Sequence, residues 1–537
     1  MVFLPEKAVL IQIVPFALDS AARFYYEEPT KGMNLRYLEY KVSLNESSLF
    51  GKYPIDSDIY KNPDAMRNKG WLVFKSIYMD NQDVNVDLDR FRITLLKALE
   101  LYVAGPTFLI WFGTTPRITI SDPNLIKEIF FSKSEFFEKN ESPILIKKIE
   151  GDGLLNLKGE IWAHHRSIIQ PLFHAENLKL MIPMMAKSMG EEVMKLSEEI
   201  SNHDGNFVID ASNWFQNLVE DVITRAIFGS FYEEGRPILK LQAQQVAHAT
   251  EAYHKSFIPG YRFLPTKKNR ISRRLNKEIR KSLLNLIGRR RRTMTNSSSP
   301  AVCGELPNDL LEIMIKAVDE SAANSNHLLA ITENDIVEEC KTIFFAGKHT
   351  TSNLLTWTVV LLAMHPRWQD DVREEVLRVC ESRDSPTKDD LAKLKTLGMI
   401  LNEALRLYPP AVAIIRRAKV NVRLGGLHIP QGTELLIPIL AVHHDPTLWS
   451  SDAREFNPSR FGGGVAQAAK HPMAFMPFGL GARRCIGQNL AVLQAKLAMA
   501  MILRRFSFEL APDYKHAPSV LMLLHPQHGA PIVVRNL

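Results

Sequence analysis

The start of this 537-residue chain lacks a membrane-spanning run: its apolar patch, Ala8 to Leu18, is interrupted by Gln12 and Pro15 and closed by Asp19. A spanning helix needs ~20 apolar residues, so this patch cannot cross a bilayer. A charged start followed by a small-residue cleavage site is missing too, and the reading from that end alone is of a non-secreted protein. Cysteine is scarce. Cys303, Cys340, Cys380 and Cys485 stand 37, 40 and 105 residues apart, without the C-x-x-C spacing of a structural zinc site. So sparse a set is no disulfide framework, and the expectation is reduced thiols that act as small buried hydrophobes, Cys485 excepted. With 46% hydrophobic and 23% charged residues, 27 Gly and 30 Pro, collagen-like, low-complexity and disordered classes are excluded. The net charge of +7 is too small to imply nucleic acid by itself.

Residues 1 to about 104 show no sustained period, hold the clustered acids Asp80, Asp83, Asp87 and Asp89, and receive no role. From Thr107 the pattern sharpens. Phe108 to Phe112 and Arg117 to Ile120 read as two paired strands, with a helix starting at Pro123 and capped by Asp122. Between Lys267 and Arg292 cations are dense, including Arg289 to Arg292, but Leu275, Ile279, Leu283, Leu284 and Ile287 recur at helical spacing. A core-packed helix with a basic outer face is favoured over a nucleic-acid patch. A polar loop is expected from Thr293 to Glu305.

Thr332 and Asp335 form a capping pattern, and no breaker follows before Pro366, which predicts one very long helix. Its middle, Ala346-Gly347-Lys348-His349-Thr350-Thr351, breaks an otherwise apolar run. Such a break accompanies a ligand's close approach or a local bulge, unless the Gly is fortuitous and the Thr bonds back to its own helix.

The most informative segment is Pro477 to Gly487, where Cys485 lies in a glycine-rich loop beside Arg483 and Arg484, just before a helix with Leu490, Leu493, Leu497 and Met501 on one face. Helix N-terminal amides and nearby cations favour a thiolate there. A dinucleotide loop is excluded because Arg484 stands where a third Gly is required, and a phosphate loop because Lys348 precedes His349 rather than Ser or Thr.

The pattern F-x-x-G-x-R-x-C-x-G, filled by Phe478, Gly481, Arg483, Cys485 and Gly487, resembles the haem-ligating loop of the cytochrome P450 family. By chance it arises on the order of once in ten thousand chains of this length. Further matches follow the family's order. Trp162 and Arg166 match W-x-x-x-R, Ala346-Gly347 and Thr350-Thr351 the oxygen-binding helix, Glu403 and Arg406 E-x-x-R, and Phe456 to Phe461 the Phe-x-Pro-x-Arg-Phe segment. The likeness runs from about Thr107 to Leu537, and the division it implies is an atypical segment over 1–104 and a monooxygenase domain over 105–537.

The resemblance implies a mainly helical fold with small β-sheets enclosing haem b, and Cys485 as the axial thiolate on iron. Trp162, Arg166, Arg416 and Arg483 are the groups expected to meet the buried propionates, with the choice between Arg416 and Arg417 open. Phe478, Gly481 and Gly487 are expected, from the same resemblance, to belong to the cofactor-binding loop. Glu403 and Arg406, at i and i+3 among apolar Leu401, Leu405 and Leu407, are expected to join Arg460 in a buried structural triad. His165 reads as a helix-surface residue. Gly347, His349 and Thr350 are the catalytic candidates: Thr350 would hydrogen-bond bound dioxygen and relay protons, and His349, where the family commonly has an acid, is equally a relay or a spacer.

Within the family, Leu157 to Arg166, Asp221 to Arg225 and Val520 to Pro531 resemble plant enzymes that hydroxylate the brassinosteroid side chain at carbon 26 and so inactivate the hormone. The implied partners are a steroid, O2 and an acidic NADPH-cytochrome P450 reductase docking on a cationic face, with membrane association at the cytosolic side of the endoplasmic reticulum and no nucleic acid. Other outcomes are oxidation of another plant hormone or terpenoid, and a haem- or ligand-binding protein without turnover. Members of this type begin with a spanning helix, a basic stop and a proline-rich hinge. Residues 1–104 contain none of these, and an alternative or mis-assembled first exon is the expected reason.

Overall fold

The computed structural model describes residues 9–32, 35–101, 107–112, 115–203, 207–252, 266–296, 309–323, 330–381 and 385–537. Two units meet at the Trp111/Phe112 bond. In the first, Val9–Val14, the core of the early apolar patch, pairs in parallel with Arg36–Lys41. Leu49, Met66, Phe74 and Tyr78 form a small core. Asp87 Oδ1 accepts the Asp89 and Arg90 N–H groups at 3.0 Å, at the start of the helix Leu88–Leu101. No described helix of the chain is long and apolar enough to cross a membrane.

The second unit is mainly helical with small sheets. Thr115–Ile120 runs parallel to Glu434–Ile437, which pairs antiparallel with Ile414–Ala418, and that strand in turn with Phe137–Lys139. A second sheet places Pro531–Asn536 between Phe506–Leu510 and Phe207–Asp210. Asp122 caps the helix Pro123–Lys127, its Oδ1 accepting Asn124 N–H at 2.7 Å.

The long helix, Glu333–Met364, has 32 residues, about 48 Å at 1.5 Å each, and opens with Thr332 and Asp335 in reciprocal side-chain-to-backbone bonds. Such length survives because nearly every turn after Ile336 is buried, and tertiary packing rather than propensity sustains long helices. Ala211–Phe228 packs alongside, and the closeness is set at Gly347: a Cβ there would lie 2.5 Å from Ile223 Cδ1. Lys348 pairs with Glu220 across the same interface.

The cationic segment is a helix, Lys267–Asn296, that buries Leu275, Ile279, Leu283 and Ile287. Three of its arginines are engaged by acids: Arg289 with Glu234, Arg290 with Asp309 and Glu312, Arg291 with Asp319 and Glu333. Helix therefore continues through Thr293 to Asn296, where a loop was expected, and the remainder of that loop, with Cys303, lies outside the described residues. Cys340 and Cys380 are both buried.

Candidate active site

The loop before the helix Gln488–Leu503 is folded by its own backbone. Gly479 N–H donates to Met476 O at 3.0 Å, Arg484 N–H to Gly481 O at 3.1 Å, and Cys485 N–H to Phe478 O at 2.9 Å. Gly481 has φ +67°, and a Cβ on it would stand 2.5 Å from Phe130 O, so no other residue fits. The Cys485 side chain is solvent-exposed yet so closely hemmed in that lost hydration pushes its thiol pKa up. A sulfur with both properties lies at the foot of a recess. The N–H groups of Gly487 and Gln488 and the charges of Arg166 and Arg484 pull the other way and do not prevail. Lost hydration thus opposes the thiolate that the loop's amides and cations favour, and a bound metal cation would remove the thiol proton outright.

Three cations gather nearby. Arg483 donates to Leu154 O at 3.1 Å and Leu157 O at 2.8 Å, and its guanidinium lies 4.6 Å from the Trp162 ring centre, with Arg166 5.4 Å from the same ring. Arg166 also donates to Arg484 O at 2.9 Å. Arg416 sits 5.0 Å from the Phe130 ring. Burial drives both Arg416 and Arg483 down to about 10, and Arg483 is lowered further by repulsion from Arg416 and Arg166. Arg417 is the exposed neighbour, which selects Arg416 as the inward residue of its strand.

A fourth member escaped the sequence reading. Lys139 pairs in register with Arg416 on the adjacent strand, and its amine bonds Leu155 O. Desolvation brings it down to about 8, with Glu150 opposing and Arg483 and Arg416 assisting. Only the strand pairing brings it here; nothing in its local sequence marks it. Among the described residues Arg166, Arg416 and Arg483 form no ion pair with a carboxylate. Uncompensated cations that are partly buried are costly, and a bound group carrying acids would relieve them. With a recessed sulfur beside them, these residues fit an iron porphyrin bearing two carboxylates.

Behind the loop lies a dry ion-pair network. Arg406 and Glu403 are fully buried and joined twice, Nε to Oε2 and Nη2 to Oε1, each at 2.7 Å. Arg406 also donates to the carbonyls of His443, Ala453 and Glu455. Arg460 Nε reaches Glu403 Oε1 at 3.3 Å, and its other donors serve Asp452 and Trp449. His443, not singled out from sequence, completes this network. Its pKa is depressed to about 3 by burial, so it is neutral, and it links Arg406 O to Met476 N–H.

On the long helix the candidates separate. Thr350 Oγ1 donates to Ala346 O at 2.6 Å, bonding back to its own helix. Gly347 faces Ile223, so its lack of a side chain lets the two helices approach. His349 is driven down to about 4 by burial first and by Lys348 second, which holds its imidazole neutral near pH 7. Its Nε2 is buried without a partner, and its ring centre is 5.3 Å from that of Phe345. His165 is corrected too. It is buried, its Nδ1 2.7 Å from Glu339 Oε1, because its helix turns that face to the long helix rather than to solvent.

A family model described as Cytochrome P450 matches residues 96–531. The chain is 60% identical over 435 residues to "Cytochrome P450 734A1" of Arabidopsis thaliana, covering 81% of each chain. It is 57% identical over 440 residues to "Cytochrome P450 734A6" of Oryza sativa subsp. japonica, covering 81% of this chain and 80% of that one. With "Cytochrome P450 72A15" of Arabidopsis thaliana the identity is 42% over 433 residues, covering 81% and 82%.

Proposed function

This chain belongs to the cytochrome P450 family of haem b monooxygenases, and we propose that within it the enzyme hydroxylates the side chain of a brassinosteroid at carbon 26, which inactivates the hormone. A lipophilic substrate, O2 and a redox partner reductase come with the family. The steroid and the NADPH-cytochrome P450 reductase are the finer reading. The observation that carries the haem site is the unpaired cluster of Arg166, Arg416 and Arg483 beside a recessed Cys485. The likeness of Leu157 to Arg166, Asp221 to Arg225 and Val520 to Pro531 to brassinosteroid hydroxylases carries the substrate.

In this proposal Cys485 would ligate the iron, Arg166, Arg416, Arg483 and Lys139 would hold the haem carboxylates, and Trp162 lies against two of those guanidiniums, Arg166 and Arg483. Bound there, haem b supplies the one-electron and dioxygen chemistry of monooxygenation. The chain's own residues do the rest. The Gly487 and Gln488 N–H groups face the sulfur and temper its charge. Phe478 and Gly481 fix the loop that aims it. In the proposed relay the Thr350 hydroxyl would release its hydrogen bond to Ala346 O and donate that hydrogen onward, while a lone pair on its oxygen takes up the incoming proton. Glu403, Arg406 and Arg460 hold the scaffold behind the loop.

The catalytic domain is taken from residue 105 onward, with residues 1–104 as a separate segment. The proposed location is the cytosolic face of the endoplasmic reticulum membrane, where members of the family typically reside. Ferrous–CO spectra of the purified protein test the haem-thiolate. Incubation with reductase, NADPH and a brassinosteroid, followed by mass spectrometry, tests the reaction. A haem-thiolate spectrum without oxidised steroid rejects the substrate, and a colourless protein rejects the whole assignment.

A further inference from the structure

Between the helices Ile144–Glu150 and Gly159–Ile169 the chain turns, and side chains of the long helix hold that turn by its backbone. Asp152 N–H donates to Glu338 Oε2 at 2.9 Å, Gly153 N–H to Thr342 Oγ1 at 3.2 Å, and Leu154 N–H to Glu339 Oε2 at 3.0 Å. Thr342 Oγ1 in turn donates to Glu150 O at 2.8 Å. The fit is tight, since a Cβ on Gly153 would collide with Glu339 Oε2. Glu338, Glu339 and Thr342 share about one turn of helix. They stand 185 to 189 residues from the N–H groups they hold.

The carbonyls of the same turn meet the cation cluster. Leu154 O and Leu157 O accept the Arg483 guanidinium at 3.1 and 2.8 Å, and Leu155 O accepts the Lys139 amine. Leu154 is therefore held from both sides, its N–H by Glu339 and its C=O by Arg483. The other oxygen of Glu339 lies 2.7 Å from Nδ1 of His165, the residue before Arg166 on its helix. The Glu339 and His165 side chains are 0% and 4% exposed, so water does not replace a lost bond there. One carboxylate thus touches both elements whose guanidiniums, Arg166 and Arg483, lie against Trp162.

We propose that Glu339 is a positioning residue for the cation cluster: through Leu154 it places Arg483, and through His165 it places Arg166, at the spacing that grips the haem carboxylates. This rests on the reading of those arginines as the groups that hold haem. Arginine pairs with a carboxylate in a fixed fork geometry, so a guanidinium whose own supports loosen grips less well. Partners that orient the ligands of a metal contribute about 10–100-fold to its retention, and the same reasoning extends to cations oriented toward a cofactor's acids.

The test is the rate of haem transfer from the purified holoenzyme to excess apomyoglobin, followed by absorbance well below the melting temperature. Glu339→Leu should release haem about ten-fold faster than the parent. In an Arg483→Leu background, and separately in an Arg166→Leu background, the same substitution should add only about three-fold, because one of its two branches is already gone. If one background holds no haem, the other decides. Glu339→Gln keeps a single acceptor oxygen for two partners, should fall between parent and Leu variant, and replaces the Leu variant in the cycle if that one does not fold. Glu375→Leu isolates plain stability: the Glu375 carboxylate accepts the Lys395, Thr396 and Leu397 N–H groups away from the cluster. It should lower melting and leave haem transfer at the parent rate. Equal factors with and without the arginines, no change in rate, or matching acceleration by Glu375→Leu overturn the proposal. A parent protein that binds no haem overturns the haem reading and this proposal together, whereas a haem-bound parent with additive rates overturns this proposal alone.

Discussion

His443 Nε2 accepts the Met476 N–H at 3.0 Å, while its Nδ1 lies 3.1 Å from Arg406 O. One neutral imidazole, with its proton on Nδ1, therefore ties the buried Glu403–Arg406 pair to the segment that turns, nine residues later, into Cys485. The segment is continuous with the loop through Gly479 N–H on Met476 O.

Acid sensitivity follows from this bond. Burial depresses His443 to about 3 and His349 to about 4, whereas an unfolded histidine titrates near ~6.5. Between those values the unfolded chain binds protons that the folded one refuses, so stability is complete above about pH 6.5 and falls as pH drops toward 3 to 4. His443→Leu should lose about 2 kcal/mol at pH 7.5, from two unpaired backbone groups, yet show a shallower acid slope. Urea midpoints across pH 4.5–7.5 check it, and an unchanged slope removes His443 as the cause.

Glu403→Ala strands a fully buried guanidinium. Breaking a buried pair in this way costs about 3–5 kcal/mol, enough to suppress accumulation of folded protein. Soluble yield and thermal unfolding measure it. Wild-type yield and melting would mean that Arg406 is adequately held by the three carbonyls alone.

Strand parity makes Arg416 and Arg417 unequal. Arg416→Leu should lower the haem-to-protein ratio after gel filtration, Lys139→Met less so, and Arg417→Leu not at all. Comparable haem loss in the Arg417 variant would contradict the inward assignment.

Gly347→Val drives methyl groups into Ile223, where even a Cβ stands 2.5 Å from Cδ1. Overpacking of this kind costs about 1–3 kcal/mol. Ile223→Ala in the same chain should restore part of it, and a double-mutant cycle in thermal stability reads the coupling.

Thr350→Ala removes a hydroxyl whose hydrogen bond stays within one turn, so melting should change little. NADPH consumed per hydroxylated product should rise, and Thr350→Ser should recover most of the coupling. Unaltered coupling in the Ala variant would refute the proton role.

Much of the helical framework was readable before any coordinates. Asp122-Pro123, Thr332 with Asp335, and Pro366 are start and stop signals whose hydrogen bonds close within three or four residues, and the observed elements begin and end there. The arginine run illustrates the intermediate case. Its apolar period announced a helix, but the acids that meet it, from Glu234 to Glu333, lie up to 55 residues away in sequence.

What the sequence alone determined are features written within a few residues of each other: the cysteine loop, the i,i+3 pair of Glu403 and Arg406, and the length of the helix through Thr350. Contacts between distant segments were decided only by packing. His165 with Glu339, Lys139 beside Arg416, His443 beneath Met476 and Gly347 against Ile223 each join residues more than 120 apart or hidden in unremarkable sequence. Helical and strand periods say which residues share a face, but which face turns inward, and against what, is settled when apolar surfaces are buried together.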